Sequence, residues 1–397
     1  MTLDPQVNLS NCDREPIQIP GSIQPHGCLL ACDATATVVL RHSVNAPKLL
    51  GVTLPLNGRK LDDVIGGELA HTLRNALARI REGSRPALSF AVALPDGRRV
   101  DVSAHRFKGS TLLEFEPAGQ NVAEPIELAR TLIAQLREID QTDRLFRDAA
   151  RFVRAVLGYD RVMIYQLGSD GAGKVIAEAK RSTLESFLGQ YFPASDIPQQ
   201  ARALNLRNPI RVIPDVQFEA VALEPVLDPS GEPLDLSYAH LRSVSPIHCE
   251  YLQNMGVGAT MSISIIVNGA LWGLIACHHY SPRNLTMGRR VAAEMFGEFF
   301  ALHIETVRSR QQLEAAVQVH DTLDLMLRDA NHAADMHSFF EDRLPRLMSL
   351  IPCDGIGISL QGRWSSAGTV PPRACVPELL RFAESVAEAR TWASNSL

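Results

Sequence analysis

Short apolar runs separated by glycine, proline and polar residues fill the first 120 positions of the chain. The runs GCLLACD, ATVVL, LSFAVAL and TLLEFEP have the length and flanking turn residues that are typical of β-strands. One longer stretch, ELAHTLRNALARIREG, has helical spacing and ends at Gly83, which favours a helix stop. The pattern predicts a small α+β domain over residues 1–120.

A second region with the same mixture begins near residue 127. Residues 127–157 have helical periodicity with a break at 141–142, and RVMIYQL and VIAEAK then read as a strand and its hairpin partner. Residues 205–245 are proline-rich and poorly periodic, which predicts a long loop or insertion of the kind that usually carries function. ATMSISIIV and ALWGLIAC form a predicted hairpin across the Asn-Gly pair at 268–269.

A long amphipathic helix is predicted from about residue 288 to about 330. Its first part carries one apolar stripe, formed by Phe296, Phe300, Ile304 and Val307. The stripe could cover the core of its own domain or meet a second copy of the chain, and Leu313 and Val317 lie beyond it. After the helix, SFFEDRLPRLMSLI reads as a helix and GIGISLQGRW as a strand, too little to bury a core, so residues 336–397 are expected to form an incomplete domain.

Composition and charge exclude several classes of protein. The 397 residues are 46% hydrophobic and 21% charged, and the net charge of −5 gives no sign of nucleic-acid binding. No run of apolar residues is long enough to span a membrane, and the polar N-terminus does not have the pattern of a signal peptide. The seven cysteines are scattered without a CxxC pair or a zinc pattern, which favours a reducing cytoplasm and no metal site.

The segment GSDGAGKV at 168–175 nearly matches a phosphate-binding loop. Val175 replaces the hydroxyl residue that would hold magnesium, and the residues that follow alternate like a strand instead of opening a helix. A hairpin turn is therefore the better interpretation.

The predicted hairpin after residue 259 carries the most informative polar pattern. In its first strand, period two places hydroxyl residues on one face (Thr260, Ser262, Ser264) and apolar residues on the other (Met261, Ile263, Ile265). In its second strand, Trp272, Leu274, Ala276 and His278 are expected to share a face, with Cys277 and His279 opposite. The hydroxyl face suits an anionic or polar ligand, although a solvent-facing strand would show the same alternation.

Isolated bases and histidines near this hairpin point to the same kind of ligand. His248 lies in SPIHCEY, and Arg211 and Arg242 flank the proline-rich stretch. Arginine binds carboxylates through paired hydrogen bonds. The residues suggest a site for a ligand that carries carboxylates, and no nucleophile–base pair indicates an enzyme.

Five longer segments stand out along the chain: NLSNCDREPIQIPGSIQPHG at 8–27, PASDIPQQAR at 193–202, RNPIRVIPDV at 207–216, LRSVSPIHCEYLQNMGV at 241–257 and LWGLIACHH at 271–279. In this order they resemble the motifs of bacteriophytochromes. The resemblance implies an α+β chain in which a PAS domain (1–120) is knotted with a GAF domain (121–308), a rare exception to unknotted topology. A linker helix (309–335) and an incomplete PHY domain (336–397) would follow.

The same resemblance implies a covalently bound biliverdin. Cys12 would form a thioether with its A ring, because Ile247 occupies the position of the attaching cysteine in other phytochromes, and Cys249 would be a spectator. Asp196 would accept from the pyrrole N–H groups, His248 would contact the pyrrole-bound water and His278 the D-ring carbonyl. The remaining expected contacts are Arg211 and Arg242 with the B-ring propionate, Thr260, Ser262 and Ser264 with the C-ring propionate, Tyr165, Phe192 and Tyr251 around the D ring, and Ile197 and Ser245 elsewhere in the pocket.

By resemblance, rotation of the D ring would convert red or far-red light into a signal. The chain would form a homodimer in the cytoplasm. It would not be an enzyme itself, since no kinase motif occurs in this sequence, and its full-length parent would carry a histidine kinase output domain that signals to a response regulator. Asn205 stands where family members often carry tyrosine, and the tongue motif of the PHY domain is missing. The alternatives are a GAF-type sensor that binds a small ligand non-covalently, and an enzyme acting on bilins, which no catalytic motif supports.

Overall fold

The structure is a computed structural model that describes residues 15–53, 55–119, 124–168, 171–330, 335–350, 353–387 and 391–392. Cys12, the predicted attachment site, lies outside these residues. The chain forms two compact units, Met1–Val307 and Arg308–Leu397.

The N-terminal part of the first unit is built on a seven-stranded antiparallel sheet with the order β1-β11-β3-β2-β6-β5-β4. Its strands are β1 (Ser22–Ile23), β2 (Cys28–Cys32), β3 (Val39–Ser43), β4 (Ala87–Ala93), β5 (Arg99–Phe107), β6 (Ser110–Pro117) and β11 (Val221–Glu224). Three helices cover one face: α1 (Ala46–Leu50), α2 (Leu61–Ile65) and α3 (Gly67–Leu77). The predicted strands are confirmed, whereas β5, α1 and α2 were missed and α3 ends before Gly83.

The second part of this unit is a six-stranded antiparallel sheet with the order β10-β12-β13-β7-β8-β9. Its strands are β7 (Arg161–Leu167), β8 (Gly173–Lys180), β9 (Tyr191–Phe192), β10 (Ile210–Ile213), β12 (Ala259–Val267) and β13 (Ala270–His279). The helices are α4 (Glu124–Leu136), α5 (Thr142–Leu157), α6 (Gln199–Arg207), α7 (Pro246–Asn254) and α8 (Met287–Ala330). The near-match to a phosphate-binding loop is a β7–β8 hairpin, as predicted.

One face of the six-stranded sheet packs on α4, α5 and the start of α8 to form the main core. Met261, Ile263 and Ile265 of β12 are fully buried in this core, as period two predicts. Phe296 and Phe300 of α8 stack at 5.7 Å between ring centroids and lie in the same core. The apolar stripe of α8 therefore covers its own domain, which decides between the two possibilities left open by the sequence.

A β-bulge corrects the predicted face of Trp272. Ile265 pairs with Gly273 and Ile266 pairs with Leu271, so Trp272 is the extra residue and the alternation shifts there. Its ring stacks on Phe146 of α5 at 5.4 Å, on the core side of the sheet. The prediction that Trp272 shares a face with Leu274 is wrong, because simple period two does not anticipate a bulge.

The proline-rich stretch contains two strands that the sequence did not predict. β10 forms the edge of the six-stranded sheet, while β11 leaves its own domain and pairs with β1 and β3 of the other sheet. The N-terminal segment 17–24 is held from two sides, since Ser22 pairs with Ala222 and the fully buried Ile23 bridges to Arg242. The segment therefore lies between β11 and the residues around Arg242, and the knot itself stays a prediction.

The second unit contains more elements than expected. Beyond the part of α8 that it includes, it has α9 (Met336–Glu341), α10 (Leu344–Leu350), β14 (Gly355–Leu360), β15 (Arg363–Gly368) and α11 (Val376–Val386). The predicted single strand is a hairpin, in which Gln361 and Gly362 turn the chain with positive φ. None of the described helices in either unit is long and apolar enough to cross a membrane.

Candidate ligand-binding cavity

A large cavity lies on the six-stranded sheet, on the face opposite the main core. Its volume of about 1170 Å³ is somewhat above the range usual for small-molecule sites, ~300–1,000 Å³. Twelve of the fourteen predicted site residues line it: Tyr165, Phe192, Asp196, Ile197, Arg211, Arg242, Ser245, His248, Tyr251, Thr260, Ser262 and His278. Of the other two, Cys12 is outside the described residues and Ser264 is not part of the lining.

Two arginines, Arg211 and Arg242, form what we call the cationic edge of the cavity. Arg211 lies on the edge strand β10, beside Ser262, and its Nη2 donates to the carbonyls of Arg242 (2.7 Å) and Ser243 (2.8 Å). Arg242 donates from Nη1 to the carbonyl of Ile17 at 2.6 Å. Arg211 Nη1 and Arg242 Nε are buried N–H groups without an acceptor in the described structure.

Both guanidinium groups pay an electrostatic cost for their burial. Burial and the neighbouring charge of Arg242 hold the pKa of Arg211 well below its usual value. Burial likewise lowers the pKa of Arg242 to about 10. Among the described residues, no carboxylate forms a salt bridge with Arg211. Buried cations with open N–H groups are suited to the carboxylates of a ligand.

The aromatic edge of the cavity lies on the same face of the sheet, toward the β9 end. It is formed by Tyr165, Phe187 and Phe192. Phe192 is in the outermost strand β9, with ring centroids 5.9 Å from Tyr165 and 6.3 Å from Phe187. Burial raises the pKa of Tyr165 to about 12, so its phenol is neutral at neutral pH. Strands β10 and β9 are the two ends of the sheet, about 24 Å apart along it at ~4.8 Å per strand spacing.

Helix α7 brings His248 and Tyr251 into the cavity beside Asp196. The rings of His248 and Tyr251 stack at 6.2 Å between centroids, and Tyr251 donates its hydroxyl to the carboxylate of Asp196 at 3.1 Å. Burial, followed by the nearby Asp196, raises the pKa of Tyr251. The Asp196 carboxylate thus has a partner within the first unit. Ser245, the residue before α7, and Ile197 complete this wall of the cavity.

The two cavity histidines are neutral at neutral pH. Burial lowers the pKa of His248 to about 4, with a smaller contribution from Arg211. Burial also lowers the pKa of His278 to about 4, and its Nδ1 is buried without a partner in the described structure. A neutral imidazole offers one donor and one acceptor, which suits a carbonyl or an ordered water molecule.

The hydroxyl stripe of β12 divides into three different environments. Thr260 donates its hydroxyl to the carbonyl of Cys277 at 2.9 Å, within its own sheet. Ser262 lines the cavity next to Arg211. Ser264 is buried outside the lining, and its hydroxyl has no partner among the described residues. The sequence predicted one surface, whereas the cavity uses only part of it.

The two cysteines considered for attachment lie in different parts of the chain. Cys249 follows His248 on α7, and burial raises the pKa of its thiol to about 11, so the reactive thiolate is scarce at neutral pH. The chain reaches the cavity lining at Glu15 and Ile17. Cys12 is three residues before Glu15, which an extended chain spans in about 10 Å.

Several lining residues were missed by the sequence reasoning. Met163 and Val175 lie on β7 and β8 beneath the aromatic edge, and Phe187 lies in the connection from β8 to β9. The alternation in RVMIYQL could have identified Met163, since it shares a face with Tyr165. Nothing in the local sequence distinguishes Phe187. No cluster of metal-ligating side chains occurs in the described parts of the chain.

A two-sheet fold with a GAF-type ligand cavity and an interdomain crossing defines a tandem PAS–GAF module. Comparison with protein families assigns residues 12–118 to the PAS fold, 141–304 to the GAF domain and 319–397 to the phytochrome region. The chain belongs to the phytochrome family, which confirms the resemblance seen in its motifs.

Individual relatives agree with this assignment. A bacteriophytochrome of Pseudomonas aeruginosa is 38% identical over 91% of this chain and 50% of its own length. Cyanobacterial phytochrome B of Nostoc is 35% identical over 100% of this chain and 54% of its length. A bacteriophytochrome of Xanthomonas campestris is 36% identical over 96% and 60%. The chain thus spans about half the length of the curated relatives it matches.

Proposed function

We propose that this chain is a red/far-red photoreceptor module that binds biliverdin in the GAF cavity. The observation that carries the proposal is the pairing of a large, mostly apolar cavity with two buried arginines, each of which keeps one nitrogen, Arg211 Nη1 or Arg242 Nε, without an acceptor in the described structure. Biliverdin is a long, flat, conjugated molecule with two propionates, so it would fill the cavity and supply the missing acceptors. The phytochrome relatives support the same ligand class.

The arrangement of the cavity suggests how the chromophore would lie. Arg211 and Arg242 would bind the B-ring propionate, and Ser262, with Thr260 and Ser264 nearby, would serve the C-ring propionate. The D ring would lie against Tyr165, Phe192 and Tyr251, with its carbonyl at His278. The Asp196 carbonyl would accept from the pyrrole N–H groups, and His248 would hold a water molecule at them. Rotation about the C15=C16 bond at the aromatic edge would be the light-driven step.

Covalent attachment is proposed at Cys12. The chain enters the cavity at Glu15, the position of the other family cysteine is Ile247, and the raised pKa of Cys249 disfavours it as a nucleophile. Cys12→Ser should abolish zinc-enhanced fluorescence of the chain on a denaturing gel after incubation with biliverdin. Cys249→Ser, the matched control, should keep it. Fluorescence that survives in the first variant and disappears in the second would overturn the assignment.

A non-covalent GAF-type sensor of another small ligand is the alternative function. Such a sensor needs neither Cys12 nor a conjugated ligand. If biliverdin neither attaches nor changes its spectrum on mixing with the chain, the alternative replaces the proposal.

Homodimer formation and signalling to a histidine kinase and response regulator complete the proposed role, with the protein in the cytoplasm. All six described cysteines are free, in keeping with a reducing compartment.

Leu313 and Val317 on α8 are 66% and 52% exposed, unlike the buried stripe before them. If they form the dimer seam, replacing both by Glu should give a monomer in sedimentation with an unchanged biliverdin spectrum. A surviving dimer would place the association elsewhere.

A further inference from the structure

Residues 240–243 connect the two arginines of the cavity to the PAS domain. The carbonyls of Arg242 and Ser243 accept from Arg211, and Arg242 itself belongs to this segment. Other backbone groups of this segment are hydrogen-bonded to the N-terminal segment. The Leu241 carbonyl accepts from the Gln24 backbone amide, and the Ser243 amide donates to the Ser22 carbonyl. The position of both guanidinium groups therefore depends on where this segment is held.

A carboxylate from the PAS domain holds the start of the segment. Glu114 lies on β6, on the face opposite Leu113 and Phe115 of the PAS core, and it is fully buried. Its Oε1 accepts from the Leu241 amide at 2.6 Å and its Oε2 accepts from the His240 amide at 3.1 Å. The contact joins residues more than 120 positions apart in sequence, and both carboxylate oxygens are used.

We propose that Glu114 is a positioning residue for carboxylate recognition in the GAF cavity, acting through residues 240–243 on Arg242 and Arg211. The proposal rests on the function proposed above. A carboxylate with two successive backbone N–H groups fixes both the position and the orientation of the segment, and charge-assisted hydrogen bonds are directional. The PAS domain thereby helps to set the geometry in which a ligand carboxylate meets the two arginines.

The surroundings of Glu114 make this role distinct from that of its neighbour. Glu116, two residues along β6 on the same face, pairs with Arg290 of α8 and lies 3.8 Å from His26. Among the described residues it forms no hydrogen bond or ion pair with residues 240–243. Glu116→Gln thus changes a buried carboxylate of the same interface without removing a hydrogen bond to the segment, and it serves as the matched control.

The test compares biliverdin with biliverdin dimethyl ester, whose propionates carry no charge. Binding is measured by absorbance titration of the full chain in a Cys12→Ser background, so that it is reversible. The dissociation constant of the dimethyl ester divided by that of biliverdin is the ratio that reports carboxylate recognition alone. In Glu114→Gln one backbone N–H would face an amide NH₂ group, donor against donor, and the ratio should fall roughly tenfold, the size of one charge-assisted hydrogen bond.

Glu114→Asp separates position from charge, because it keeps the carboxylate but shortens its reach by one methylene group. The proposal predicts that the ratio also falls in this variant, and that Glu116→Gln keeps the parent ratio. Affinity for the dimethyl ester should change little, which shows that the variants remain folded.

Four outcomes would overturn the proposal. Equal weakening of both ligands, which leaves the ratio unchanged, would show a structural role only, and unchanged affinities for both ligands would show no role. A ratio that changes in Glu114→Gln but not in Glu114→Asp would mean that Glu114 acts through its charge. If the parent chain itself binds both ligands equally well, the arginine–carboxylate contact of the proposed function fails, and this inference fails with it.

Discussion

The aromatic edge of the GAF cavity is built mainly on β7 and β9, whereas the cationic edge combines β10 with the long loop, and the two edges are held in different ways. Tyr165 and Phe192 are placed by local strand pairing and by packing on each other. Arg211 and Arg242 depend instead on backbone groups from the N-terminal segment and the long loop, which are distant in sequence. The shape of the aromatic edge is therefore a local property of the GAF sheet. The placement of the guanidinium groups at the cationic edge also depends on the carbonyls of residues 17, 242 and 243.

Removing charge from the cationic edge should have the largest effect on ligand affinity. Arg211→Ala deletes the buried donor and the anchor of the Arg242 and Ser243 carbonyls. Affinity for biliverdin should fall about 100-fold, the upper range for a charge-assisted contact, with a much smaller loss for the dimethyl ester. Arg207→Ala, an exposed position on α6, is the control. Similar losses for both ligands in a titration would contradict a charge-specific role.

Removing an aromatic ring from the aromatic edge should weaken the binding of charged and uncharged ligands alike. Phe192→Ala removes a ring that packs on Tyr165, and the lost apolar contact should cost about tenfold in affinity. Biliverdin and its dimethyl ester should be affected equally. The neighbouring Tyr191 is 69% exposed on the same short strand, so Tyr191→Ala should leave both affinities unchanged. A preference for one ligand in Phe192→Ala would mean that the two edges are not independent.

The hydroxyl residues between the edges should contribute less. Ser262 lines the cavity beside Arg211, and Ser262→Ala should weaken biliverdin binding about threefold, within the range of a neutral hydrogen bond. The Thr260 hydroxyl already donates a hydrogen bond to the Cys277 carbonyl, so Thr260→Val should have little effect on affinity. The reverse order in parallel titrations would show that Thr260 exchanges its partner when the ligand binds.

A change of pH from 8 to 6 should give the smallest effect, and it should not strengthen binding. His248 and His278 have pKa values of about 4 because they are buried, so they stay neutral over this range and add no charge for the propionates. Burial raises the pKa of Glu114 to about 7, so acidification to pH 6 protonates it. A carboxylic acid still accepts through its carbonyl oxygen and can turn its hydroxyl proton away from a backbone N–H, so the hold on residues 240–243 should weaken less than in Glu114→Gln. Affinity that rises as the pH falls would assign the cationic edge to histidine instead of arginine.

The two edges also differ in how well the sequence predicted them. The β12–β13 hairpin follows from its Asn-Gly turn, and period two correctly placed Ser262 and Thr260 opposite the core residues. The arginines appeared as isolated bases that suggested a ligand with carboxylates, and only their assignment to the B-ring propionate came from the family resemblance. Their contacts with residues 17 and 240–243 could not be predicted, because they depend on chain crossings with no local pattern.

Errors of the prediction have equally specific causes. Trp272 was assigned to the wrong face because a bulge adds one residue to β13. Strand β11 was read as loop because four residues carry little periodicity and its partners lie in another domain. The role of Glu114 was missed, since a buried glutamate in TLLEFEP resembles any polar position of an alternating strand.

An absorption spectrum of the chain mixed with biliverdin decides whether this cavity is a bilin site. We expect a strong red band that differs from that of free biliverdin and changes on red illumination, and we expect the pigment to stay attached to the denatured chain when Cys12 is present. The band should be much weaker when biliverdin dimethyl ester replaces biliverdin at the same low concentration. A spectrum identical to that of free biliverdin at saturating protein would contradict the claim that this cavity is a bilin site.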